Sequence, residues 1–311
     1  MEQPPPVVPR PDMTLEPAGY TVDSDGDRIH FLDWGGPATD RAAGVVAIHG
    51  LGHTAWAWTP IARRLGGPSG AIRFVAMDLR GHGLSDAPTE DGAYDLELFG
   101  DDVIAVAEGA TILREASDRV VVAGHGFGAI AAAYGALALA ERCVGLVLVD
   151  GGWEDLEEAT GVDVDEFLRG LEEPPEVMAS MSAFLRDRRE FDRATWDADQ
   201  EQAARAAVVE THAGRVVPSA RPHATEATVR AMFEYDPGAV LPDVDAAVTA
   251  LVAMDDEVRT RVRALAAISS ARETNGRGAI RAIVFGHDGH NLMRYRPDEV
   301  AAAILSVGEG G

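Results

Sequence analysis

The sequence predicts an α/β protein, a mostly parallel sheet wrapped by helices. Three observations carry that expectation. Short apolar runs alternate with longer stretches whose apolar residues recur at helical spacing. One such stretch, residues 129–140, is rich in small residues and can pack closely on a sheet. With 311 residues the chain can bury a full core in one large domain carrying an insertion.

The elements follow in order. Residues 20–22 and 29–34 flank Ser24-Asp25-Gly26-Asp27, a turn sequence, and read as an opening hairpin. Residues 45–48 and 74–77 are buried strands. Residues 96–116 carry apolar positions at helical spacing. A strand at 120–123 leads to the small-residue helix, and a strand at 146–149 ends at Asp150-Gly151-Gly152. The pattern then changes. From residue 153 to about 245 the chain is acidic and helix-like, with no convincing strand, and Pro174-Pro175, Pro218, Pro222 and Pro237-Gly238 break it into pieces. Met178, Met181, Phe184 and Leu185 keep helical spacing, so this is an inserted helical segment rather than a linker. Strand character returns at 248–253 and 280–285. A last helix opens near Pro297, where proline suits the first turn, and runs to about 306. The expected organisation is a flexible proline-rich tail (1–17), a core (18–152 and 246–311) and a helical cap insertion (153–245). No internal repeat is visible.

Composition sets limits on function. The chain is 46% hydrophobic and 25% charged, as a globular protein is, with a formal net charge of -24. All 27 basic residues are arginine. A negative field of this size disfavours nucleic acid and anionic membrane surfaces. Coding composition or a salt-adapted host accounts for the acidity, which is therefore no clue to substrate. The single cysteine, Cys143, excludes an intramolecular disulfide and reads as a buried, inert thiol. The N-terminus lacks a charged start followed by an apolar run, and residues 129–140 are too few to span a bilayer, so the cytoplasm is the default location. The histidines are scattered without ligand spacing, and there is no phosphate loop; neither metal nor cofactor is expected. A small molecule is the expected partner, and the oligomeric state stays open.

Four motifs lie in order after successive strands: His49-Gly50-Leu51-Gly52, Asp78-Leu79-Arg80-Gly81-His82-Gly83-Leu84-Ser85, Gly124-His125-Gly126-Phe127-Gly128, and Gly289-His290-Asn291-Leu292 followed by Arg294-Tyr295-Arg296-Pro297. Each is weak alone. The ordered set, over residues 18–307, resembles the α/β-hydrolase superfamily, of the kind with a helical cap inserted after the sixth strand. The resemblance implies an eight-stranded, mostly parallel sheet and a general base at His290, with His287 as its rival. The acid that holds the base falls at Asp256, although Ala253 stands where a glycine is expected. Asp255 and Asp150 are the alternatives. Glycines 50 and 52 let backbone approach a ligand. The N–H groups of Leu51 and Phe127 are the implied oxyanion donors. His49, His82, His125 and Arg80 are expected to brace loops. Gly50, His53, Trp56 and His125 are candidate pocket residues, with core packing an equal account of the tryptophans.

The third motif has the shape of a nucleophile elbow, G-x-S-x-G, with Gly126 in place of the serine. Glycine adopts the strained elbow angles without a Cβ penalty, so the turn can form, but it cannot attack a carbonyl. Three readings stay open. The chain is a serine hydrolase whose nucleophile was replaced; or it catalyses without a covalent step, by general-base attack of water or by proton abstraction in elimination, cyclisation or carbon–carbon cleavage; or it is a pseudohydrolase that binds without turnover. Keeping an acid, a base and an oxyanion loop together favours catalysis on a small to medium, partly apolar ester, lactone or related carbonyl compound.

Overall fold

In the computed structural model, which describes residues 7–39, 42–253, 258–286 and 289–309, the chain opens with a hairpin. Strand β1 (Ala18–Ser24) pairs with β2 (Asp27–Gly35) across Asp25 and Gly26. Both turn residues have positive φ, 51° and 93°, as a tight two-residue hairpin whose twist matches its strands requires. β3 (Gly44–Ile48), helix α1 (Thr59–Leu65), β4 (Phe74–Met77) and α2 (Leu96–Gly109) follow, then β5 (Val120–His125), α3 (Phe127–Leu139) and β6 (Cys143–Val149). Between β6 and the next sheet strand lie α4 (Leu156–Thr160), α5 (Val164–Gly170), α6 (Met181–Phe191), α7 (Ala198–Ala206), the short strands β7 (Val208–Glu210) and β8 (Val216–Pro218), α8 (Pro222–Glu234) and α9 (Pro237–Val240). The chain ends with β9 (Ala247–Ala253), α10 (Val258–Thr274), β10 (Arg281–Phe285), α11 (Leu292–Tyr295) and α12 (Pro297–Glu309).

Eight strands make one sheet in the order β1-β2-β4-β3-β5-β6-β9-β10. Only β2 runs against its neighbours; the six strands from β4 to β10 are parallel. The central strands are buried on both faces, so alternate residues feed two separate cores. Val46, Ile48, Val120 and Val122 join the core under α2 and α3, whereas Val45, Ala47, Val121 and Ala123 join the one under α1 and α12. Parallel strands of this kind end together, and described residues at or just beyond the ends of β3, β5, β6 and β9 converge at one edge of the sheet.

Several expectations need correction. The helix expected over 96–116 stops at Gly109, and Thr111 then takes a left-handed φ of 57° that no helix can continue. The segment after β6 contains a two-stranded sheet, β7 with β8; three-residue strands leave no periodicity to read. The proline-rich segment is not loose throughout. Arg63, 8% exposed, donates to the carbonyls of Asp12 (3.2 Å) and Leu15 (2.7 Å) and pairs with Glu16, tying residues 12–16 to α1. The same guanidinium pairs with Asp199 of α7 at 3.0 Å, so α1 also anchors the inserted segment. Helix α10 went unread in the sequence, although its buried face is a regular helical stripe: Arg261, Leu265, Ile268 and Arg272. Cys143 is buried, and burial pushes its thiol up to about 12. No described helix is long and apolar enough to cross a membrane.

Arg80 is 2% exposed and grips Asp102 of α2 with two bonds of 2.8 Å. Asp102→Ala would leave that guanidinium buried beside only the Ala93 carbonyl and Asp27. The expected loss is about 3–5 kcal/mol of folding stability, read from urea unfolding.

Candidate active site

The convergent loops enclose a cavity of about 610 Å³. Its polar end brings together Gly50 and Leu51 after β3, His125, Gly126 and Phe127 after β5, Asp150 after β6, and His290 after β10. His53 also lines it. Ile130, Leu156, Phe167, Leu171 and Met232 supply an apolar wall, and four of these five belong to the segment between β6 and β9.

At the turn after β5, Gly126 has φ 54° and ψ −120°, where an L-residue is strained. Its neighbours are glycine for another reason. A Cβ at Gly124 would meet the Gly128 carbonyl oxygen at 2.0 Å, and one at Gly128 would meet the Ile48 and His49 carbonyl oxygens at 2.4 Å. The three glycines together let α3 start hard against β3 and β5. A Cβ built on Gly126 would point at His290, 3.2 Å from Nε2.

His290 Nδ1 lies 2.7 Å from Asp150 Oδ2. Asp150 is buried and sits at φ 50°, a left-handed conformation that turns its carboxylate back toward the ends of β9 and β10. Its Oδ1 accepts the Ala253 N–H at 2.9 Å and an Nη2 bond from Arg261, also 2.9 Å. Arg261 is 9% exposed and further binds Glu154 through Nε (2.8 Å) and Nη2 (3.2 Å), with its guanidinium over the Trp153 ring. Burial pulls the Arg261 pKa down, but the bonds to Glu154 and the charge of Asp150 outweigh it, and the net shift is upward. Asp256, the acid first expected, and Asp255 lie outside the described residues, as does His287. Among the described residues the carboxylate on His290 is Asp150.

The loop after β3 is held from below. His49 is fully buried, donates Nδ1–H to the Gly50 carbonyl (2.8 Å) and accepts the Leu79 N–H on Nε2 (3.1 Å). Burial holds its pKa down at about 3, so it stays neutral. Asp78 accepts from His30 (2.8 Å), Ala55 N–H (2.7 Å) and Leu84 N–H (3.0 Å), locking the loops after β3 and β4 together. Leu51 and Phe127 line this cavity, and neither backbone N–H has a hydrogen-bond acceptor among the described residues. Phe127 opens α3, where first-turn N–H groups have no intrahelical partner. His125 donates Nε2–H to the His290 carbonyl at 3.1 Å and stacks 4.5 Å from the His290 ring. Burial, with His290 and His53 beside it, pushes its pKa well below the ordinary value. His53 is held at about 4 by burial and by the neighbouring His290 and Arg188. Trp56 is not at the cavity; its ring packs edge-on against Trp34, 6.4 Å away, on the α1 side of the sheet. Arg261 and Glu154 carried no sequence motif, though an arginine in phase with the buried stripe of α10 was a signal. Among the described residues no cluster of histidine, cysteine or carboxylate groups could hold a metal.

The alpha/beta hydrolase family matches residues 45–303, and the chain belongs to it. No curated protein matches the sequence. Solved structures share the fold. E-2-(acetamidomethylene)succinate hydrolase superposes with a TM-score of 0.73 at 18% identity, over 94% of this chain and 100% of that one. The thioesterase domain from the curacin biosynthetic pathway gives 0.66 at 18%, over 93% and 99%. N-formylmaleamic acid deformylase from Pseudomonas putida S16 gives 0.62 at 20%, over 92% and 100%.

Two outcomes test this geometry. Arg261→Ala leaves Asp150 and Glu154 without their shared cation and should cost about 3–5 kcal/mol in urea unfolding. Gly126→Ser places a Cβ in a left-handed conformation and against His290. His290 can give way, its side chain being 62% exposed, so the expected loss is the backbone strain alone, about 1–3 kcal/mol in the same assay.

Proposed function

We propose that the protein hydrolyses small to medium ester or lactone carbonyls by noncovalent general-base catalysis. The observation that carries this reading is the direction of His290: Nδ1 is engaged by Asp150, and Nε2 faces the position a Gly126 side chain would take. With Nδ1–H donated to Asp150, the Nε2 lone pair is left for a proton from water. Water oxygen adds to the carbonyl carbon as Nε2 takes its proton. The oxyanion is held by the Leu51 and Phe127 N–H groups. On collapse the carbon–oxygen bond to the leaving group breaks, and the proton on Nε2 passes to the departing oxygen, leaving His290 neutral for the next cycle. Asp150 keeps the imidazole in one tautomer, and Arg261 with Glu154 keeps Asp150 in place. The segment 153–245 acts as a cap, its apolar residues excluding bulk water from the carbonyl. A pocket that only held a ligand would have no need of a base backed by a buried carboxylate.

The experiment pairs the natural chain with Gly126→Ser on short-chain p-nitrophenyl esters and lactones, with mass spectrometry to catch an acyl adduct. The glycine chain should turn over without an adduct, and His290→Gln should lower its rate about 10²–10⁴-fold. A glycine chain that is inert while the serine variant acylates overturns the reading in favour of a serine hydrolase stripped of its nucleophile. If both chains bind these compounds and neither reacts, the pocket is a binding site.

The pH profile makes a separate demand. His49 at about 3 and His53 at about 4 stay neutral through the working range, and burial keeps His125 neutral too. The acid limb of kcat/KM should therefore keep its midpoint in His53→Gln. A midpoint that moves in that variant would take the base role away from His290.

A further inference from the structure

A second cavity, of about 370 Å³, opens beside the first and shares Leu51, His53 and Leu171 with it. The two lobes therefore meet at the loop that carries the proposed oxyanion donor. Their charges differ. The ionic groups lining the first lobe are Asp150, Glu154 and Arg261, two anions to one cation. Those lining the second are Glu173, Arg188 and Arg294, two cations to one anion. Arg188 is tied to Glu173. Arg294 is different: Nε donates to Thr195 Oγ1 (2.6 Å) and Nη2 to the Asp192 carbonyl (2.7 Å), both neutral acceptors. Among the described residues no carboxylate lies within ion-pairing distance of it; the Asp192 carboxylate is near enough for the Arg294 charge to lower its pKa, and the guanidinium carbon lies 5.5 Å from the Tyr295 ring centroid. In a chain of net charge -24, a half-buried guanidinium held in place by neutral groups and lining a cavity is suited to receive an anion. Arg294 also lies one turn from His290. The Asn291 side chain accepts the Arg294 N–H (3.3 Å), fixing the anchor to the same short helix that follows the base.

We infer that the second lobe binds a carboxylate on Arg294, and that the substrates are two-ended compounds. The apolar end lies against Ile130, Phe167 and Met232, the carbonyl at Leu51, and the carboxylate at Arg294. This choice of substrate class rests on the hydrolytic reading above, but the anion site does not. An ionised group enters a partly desolvated cavity only against an opposite charge. The first lobe offers a carboxylate net repulsion, and the second offers a planar fork of donors.

The test is direct binding, by calorimetry at low salt, of 4-phenylbutyrate and of 4-phenylbutan-1-ol, which differ at the charged end. The natural chain should bind the acid about 10-fold or more tightly than the alcohol, against the repulsion of its own net charge. Raising salt should shrink that ratio. Arg294→Gln should bring the ratio close to one, and Arg294→Lys should restore part of it. Equal binding of acid and alcohol by the natural chain, or a ratio unchanged in Arg294→Gln, overturns the proposal. Should that variant not fold, the natural chain's ratio and its salt dependence decide. Turnover of p-nitrophenyl butyrate is scored apart. Acid preference without turnover sinks hydrolysis and keeps the anion site; turnover without preference does the reverse.

Discussion

The carboxylate of Asp150 takes bonds from three parts of the chain at once: the His290 ring, the Ala253 N–H at the end of β9, and the Arg261 guanidinium of α10. It does so from a left-handed conformation at the end of β6, next to Gly151, where a Cβ would lie 2.8 Å from Gly126 Cα. The loop after β6 thus packs directly on the turn after β5 while its carboxylate reaches across β9 to His290. Removing any one of these contacts leaves a buried charge short of partners, and such deficits are far larger than the net worth of an exposed ion pair. This one junction ties the ends of β6 and β9, helix α10 and His290 together. The most open part of the junction is the imidazole itself, its side chain 62% exposed against 2% for Asp150 and 10% for Arg261.

A chain whose cations are all arginine can build such junctions repeatedly. Each guanidinium has five donors in a fixed plane and stays charged when buried. Arg63 joins the N-terminal segment, α1 and α7. Arg272, fully buried, serves the carbonyls of Leu241, Val244, Ala246 and Gly278 and so closes the loop that leads into β9. Arg294 joins the segment that follows His290 to residues 192–195. All three forks tie residues of the inserted segment to elements of the core. The segment's position over the cavity is therefore set by hydrogen-bond geometry as well as by its small apolar core of Met178, Phe184, Leu185, Val208 and Val216.

The central strands were legible because burial on both faces leaves an unbroken apolar run, and the opening hairpin because Asp-Gly has few other uses between two strands. Residues 208–210 and 216–218 were not, since strands of three residues have no period. Helix α10 was missed because two of the four buried positions on its stripe are arginines, and a hydrophobicity pattern counts them as surface. The site divides the same way. The glycines were legible as backbone constraints: Gly50 and Gly128 face close contacts that a Cβ would not clear, and Gly126 has a positive φ. The partner of His290 could not be read, because sequence spacing ranks Asp256, Asp255 and Asp150 by distance from strands, whereas the contact depends on the φ of one residue. Trp56 was misassigned for a related reason: adjacency to Leu51 in the chain says nothing of which face of the sheet a side chain joins.

The glycines at 124 and 128 are demanded by packing whatever the protein does, so the motif around residue 126 would persist as architecture even without chemistry. Residue 126 is the one position in it where packing leaves room, and there the chain has the residue that removes strain rather than the one that supplies a hydroxyl. A relaxed turn changes what His290 meets. With serine, Nε2 would face an oxygen fixed by a covalent bond; with glycine it faces a space bounded by Gly50 Cα, 3.7 Å from the Cβ position, and by its own ring. A water in that space would have to be oriented by His290 and by the substrate, since the glycines around it offer no side-chain donor. Positioning by the substrate matters more in such a site than in one with a tethered nucleophile, because proximity that the chain does not supply covalently must come from binding. A two-ended ligand, held at both lobes, is the kind that can supply it.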